Sequence, residues 1–89
     1  MPDRADVAIN LNWYDNEGNI LTGEEPISNM TVDEVLHLFD APFWNKLYHC
    51  WKASRKELKV IQPNIQHQID TKKFSYFVEI YKIQNSQQT

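Results

Sequence analysis

Asp15, Glu17 and Asn19 occupy alternate positions in the stretch "DNEGN", like the first three ligands of a calcium loop. Such a loop also needs glycine at its sixth position and a bidentate acid at its twelfth. Counted from Asp15, those positions hold Ile20 and Pro26, and the glycine, Gly18, comes two residues early. The stretch therefore reads as the bend of a hairpin, with Gly18 free to take a positive φ. His37, His49, His67 and Cys50 are the remaining metal or nucleophile candidates. None forms the close pair that zinc sites use. His49 and Cys50 are adjacent in an extended segment and must point to opposite faces. Cys50 reads as a small buried hydrophobe, His37 as a solvated side chain one turn after two acids. Glu24-Glu25 and Asp33-Glu34 are carboxylate pairs, but on a loop and a helix start they have no shielded pocket for acid–base work. Gly18 and Gly23 are the only glycines, so no phosphate-cradling glycine loop is possible. No catalytic residue, metal or cofactor is expected, and the chain reads as a non-enzyme.

The elements that carry these residues follow from periodicity. Val7, Ile9, Leu11 and Trp13 alternate with Ala8, Asn10, Asn12 and Tyr14, the period of a half-buried strand. After the bend, "NILT" returns as the second arm, and "GEEPIS" reads as a polar connection. Thr31 and Glu34 have the spacing of a capping box, with Met30 and Val35 placed as a hydrophobic staple. Asp33 and Glu34 suit the positive end of a helix. Val32, Val35, Leu36 and Phe39 form the core stripe, and Pro42 is expected to end the helix. "LYHCWKA" is a third strand, apolar on both sides and so expected inside the sheet. Ser54 and Glu57 repeat the capping box, opening a second helix with Leu58, Ile61 and Ile65 on its stripe. Pro63 should stop or kink it, and the stretch to Ile69 reads equally as helix or loop. "KFSYFVEIYKI" is the last strand. Phe74, Tyr76, Val78 and Ile80 share one face, with Phe77 and Tyr81 on the other, the pattern of a central strand.

The predicted order is β-β-α-β-α-β. It makes an α+β fold of one domain over residues 1–89, with a frayed polar tail at 84–89. The sheet should have about four strands, mixed or antiparallel, with both helices on one face. Eighty-nine residues suffice for one core. One cysteine precludes an internal disulfide, and no apolar run approaches a membrane span or a signal-peptide core. A cytoplasmic protein with no membrane association is expected.

The charge distribution is uneven. Residues 1–45 hold nine acids and one base, net −8, whereas residues 46–89 hold eight bases and three acids, net +5. Either folding mixes the two halves, or it leaves an acidic face for a basic partner or for self-association. The net −3 argues against nonspecific nucleic-acid binding. Lys52, Arg55, Lys56, Lys59, Lys72 and Lys73, with the aromatics of the last strand, keep a nucleic-acid-associated or regulatory module as the alternative. A structural or assembly subunit is a further one.

The succession "WYDNEGNI", "TVDEVLHLF", "LYHCWKA" and "FSYFVEIY" resembles the small immunity proteins of bacterial contact-dependent growth inhibition and other polymorphic toxin systems. The resemblance spans about Trp13 to Tyr81 and is one of element order and size. It implies a non-enzymatic cytoplasmic protein that binds and neutralises a cognate toxin domain, commonly a nuclease. Charge and placement then nominate the contact surface: Asp15 and Glu17 at the hairpin tip, Glu24 and Glu25 after it, Asp33 and Glu34 at the helix start. Trp44 is the candidate aromatic anchor. The oligomeric state is left open.

Overall fold

A computed structural model describes residues 7–40 and 48–82. Strands β1 (Val7–Asp15) and β2 (Leu21–Pro26) form the expected hairpin, followed by helix α1 (Val32–Leu38). Strand β3 (Tyr48–Ala53), helix α2 (Arg55–Ile61) and strand β4 (Phe74–Lys82) complete the order β-β-α-β-α-β. The sheet is four-stranded and antiparallel throughout, in the order β2-β1-β4-β3. Among the described residues, no helix is long and apolar enough to cross a membrane.

Alternation decides which side of the sheet is covered. Ile9 faces Ile80, Leu11 faces Val78 and Trp13 faces Tyr76 across the β1–β4 pair. These side chains join Val32, Val35 and Leu36 of α1 and Leu58 and Ile61 of α2 in one core. Both helices therefore lie on the same face. Thr31 accepts the Glu34 N–H at 3.1 Å, and Glu34 accepts the Thr31 N–H at 2.8 Å, closing the first capping box. At α2 the Glu57 carboxylate takes the Ser54 N–H at 2.7 Å and the Ser54 hydroxyl as well. These hydrogen bonds, led by the one from the Ser54 side chain, lower the Glu57 pKa below its ordinary value.

Several expectations need correction. The left-handed residue of the hairpin is Asn19, with φ 54°, and not Gly18. Asparagine tolerates this region, and here its N–H bonds the Asp15 carbonyl at 2.7 Å. "GEEP" belongs to β2 and is not a connection. Its polar composition suits an edge strand, where charges and proline are tolerated. Helix α1 ends at Leu38, with Asp40 at a left-handed φ of 56° just beyond it; Pro42, expected to end it, lies outside the described residues. β3 is an edge strand and not an interior one. Cys50 is exposed and not buried. Pro63 closes α2 through a 3-10 turn at Gln62–Asn64, and Ile65 is extended, with φ −136°, not helical. The 84–89 tail lies outside the described residues.

Candidate protein-binding surface

The core face of the sheet also holds a closed polar network. The Trp13 indole spans Gly23, its cross-strand partner, so closely that a Cβ there would lie 2.5 Å from the indole ring atoms. On Trp13 stacks the His67 ring, 3.8 Å between centroids and 10° from parallel. His67 Nε2 is 2.8 Å from the Tyr76 hydroxyl, whose oxygen also accepts the Asp70 N–H at 2.8 Å. Burial pushes the Tyr76 phenol above its ordinary pKa, although the Asp70 N–H pulls the other way. Gln62 accepts the Ile69 N–H and donates to the His67 carbonyl. Glu25 accepts the N–H groups of Gln66 and His67 at 2.7 and 2.9 Å. These bonds fix the irregular segment between the 3-10 turn and β4. They hold the 62–70 segment against the core face of the sheet.

The opposite face carries no helix among the described residues. Residues there form cross-strand rows. One row reads Glu24, Asn12, Phe77, Lys52, from the β2 edge to the β3 edge. The next reads Pro26, Asn10, Glu79, Cys50. Tyr14 meets Phe77 edge-on, 5.5 Å between centroids at 85°. Asn12 donates to Glu79 at 3.0 Å and Asn10 to the Tyr81 hydroxyl at 3.3 Å. Asn12 is only 7% exposed, and its Oδ1 has no hydrogen-bond donor among the described residues. Burying such an acceptor unmatched carries a cost. Beside it, Tyr14, Asn19, Cys50, Lys52, Ser75 and Phe77 line a hollow of about 440 Å³. At the hairpin, Ile20 and Leu21 are 66% and 49% exposed.

A family model for a domain of unknown function, DUF7683, matches residues 9–79. The chain belongs to this family. The match reaches from β1 into β4 and takes in every element of the DUF7683 domain described above. No curated protein matches the chain.

Within this DUF7683 domain, the acids nominated from the sequence do not form one cluster. Asp15 accepts the Glu17 N–H at 2.9 Å, which tightens the hairpin turn, and Glu17 is exposed. Asn16 ties that turn to the start of β4 through the Lys72 and Lys73 carbonyls and the Ser75 hydroxyl. Glu24 is exposed on the uncovered face, while its neighbour Glu25 turns to the core face and bonds within the chain. Asp33 and Glu34 rim a groove of about 550 Å³ between the helices, with Met30, Leu38 and Val60 supplying apolar lining and His37 beside them. Trp44 lies outside the described residues. Lys52, Arg55, Lys56 and Lys59 are all exposed, and Arg55 and Lys59 line a smaller hollow of about 260 Å³ with Leu58 and Thr71.

Sequence reasoning missed the contacts that Asn12, Asn16, His67 and Val60 make. Alternation in β1 already placed Asn10 and Asn12 on the second face. What their partners would be depended on strand order, which no local pattern carries. Among the described residues, no three metal-ligating side chains converge.

Proposed function

We propose that this protein is a non-enzymatic binding protein that docks on a basic protein domain and blocks it. The partner that the element order suggests is a toxin domain, with a nuclease as the first candidate. The reading rests on the groove between α1 and α2, where Asp33 and Glu34 border apolar side chains of both helices. An acidic rim steers a basic partner, and an apolar floor holds it once water is displaced. Glu24, on the opposite sheet face, and Glu17, at the hairpin, are exposed as well and add negative charge outside the groove. Glu25 is left out of the contact set because it turns to the core face and does not line the groove, its carboxylate bonding the N–H groups of Gln66 and His67. The basic start of α2 supports a second reading, nucleic-acid association, through the hollow lined by Arg55 and Lys59.

The test is co-expression with the toxic C-terminal domain of a secreted protein encoded beside this chain. Survival of the host is expected. The variant carrying Glu17→Lys, Glu24→Lys and Asp33→Lys should associate about tenfold more slowly at low salt, and its rate should depend less on salt. These three positions are chosen because none of their carboxylates closes a helix cap. An unchanged association rate would reject the acidic surface, and death of the co-expressing cells would reject the inhibitor role against that domain.

A further inference from the structure

We infer that the sheet face opposite the helices is a self-complementary surface on which a second copy of this chain docks. The row Glu24–Asn12–Phe77–Lys52 carries an acid at the β2 edge and a base at the β3 edge, with a buried amide and an aromatic ring between them. A two-fold axis parallel to the strands, lying between two such faces, superposes β2 of one copy on β3 of the other. Glu24 then meets Lys52 of the second copy, and Lys52 meets its Glu24, so each row supplies both halves of both pairs. A random partner would have to match this polarity, whereas a second copy matches it by symmetry.

The same axis sets Asn12 of each copy opposite Phe77 of the other, so the middle of the row is apolar ring against buried amide and the charged pairs lie at its two ends. Sheets packed this way keep their strands nearly aligned, and the half-buried Tyr14, Phe77 and Tyr81 would fill the space between them. Four strands at about 4.8 Å and six residues at about 3.3 Å give a flat footprint of roughly 400 Å². A standard interface takes about 800 Å² from each partner, so a micromolar rather than a nanomolar dimer is expected.

Sedimentation equilibrium over a concentration series of the full chain tests this. The wild type should pass from monomer to dimer in the micromolar range. Glu24→Lys or Lys52→Glu alone should each weaken the dimer about tenfold, because each places like charges together twice. The double variant E24K/K52E should return to within about threefold of wild type. Far-UV circular dichroism and an unchanged unfolding midpoint exclude loss of fold as the cause. Three results overturn the inference: a chain still monomeric at about 1 mM, a dimer indifferent to both single variants, or a double variant as weak as the singles. Lys52→Glu leaves every acid of the proposed inhibitory surface in place, so its effect on self-association is separable from inhibition.

Discussion

The two faces of the sheet treat polar groups in opposite ways. On the helix-covered face, Glu25, Gln62, His67 and Tyr76 all have hydrogen-bond partners within the chain. On the other face the ladder of Asn10, Asn12, Glu79 and Tyr81 is incomplete, and a buried acceptor is left over. A buried, fully bonded network rigidifies a fold, whereas a half-matched one on an open face is a cost the isolated fold does not need. The contrast divides the labour among the described residues: the helix-covered face has its polar groups matched, and the other leaves an acceptor unmatched. The adjacent pair Glu24 and Glu25 shows this within two residues, since successive side chains on a strand point to opposite faces.

Truncating one aromatic on each face should give the largest difference. Trp13→Ala removes the ring that covers Gly23 and stacks on His67, and should cost about 3 kcal/mol of unfolding free energy. Tyr14→Ala, one residue on, removes an edge-on contact with Phe77 and should cost about 1 kcal/mol. Denaturant titration of both variants measures the gap. Equal losses would show that the second face is as tightly packed as the first.

The two glutamates sharpen the comparison. Glu25→Ala leaves the N–H groups of Gln66 and His67 without their acceptor and should destabilise by about 2 kcal/mol. Hydrogen exchange at those two amides should quicken with it. Glu24→Ala should stay within about 0.5 kcal/mol, since Glu24 is exposed. Equal effects would mean that the carboxylate of Glu25 does not hold the 66–67 segment.

Fold and site were not equally legible from residue types, and the reason is the range of the interactions. Period two in β1 and β4 and the paired caps at Thr31 and Ser54 are local signals, and each element formed where its own residues called for it. The edge strand β2 was mistaken for a connection because Gly23, Glu24, Glu25 and Pro26 all disfavour strands locally. Gly23 belongs there only because Trp13, ten residues earlier, lies across it. Likewise, nothing near Glu25 announced that it would bond residues 66 and 67. The acids of the proposed surface were visible as charges, but which were exposed and which were already engaged was a tertiary fact. The rows on the uncovered face depend on the strand order β2-β1-β4-β3, so their polarity emerged only with the topology.

The smallest predicted effect concerns the helix cap at Ser54, which stands on the surface and outside the contrast between faces. In the folded chain the Glu57 pKa is lowered, chiefly by the hydrogen bond from the Ser54 side chain and then by that from the Ser54 backbone. A group whose folded pKa lies below its unfolded value binds protons more readily when unfolded. Its contribution to stability is therefore fully present above the unfolded pKa and is lost as pH falls through the folded one. Because Glu57 lies at the surface and is only partly buried, the contribution is small and weakens with added salt. Ser54→Ala removes the leading cause while leaving the backbone donor in place. Measured across the acidic range, the variant should lose less stability than the wild type as pH falls, with the two curves converging once Glu57 is protonated in both states. Parallel curves would show that the hydroxyl contributes nothing to holding Glu57 ionised.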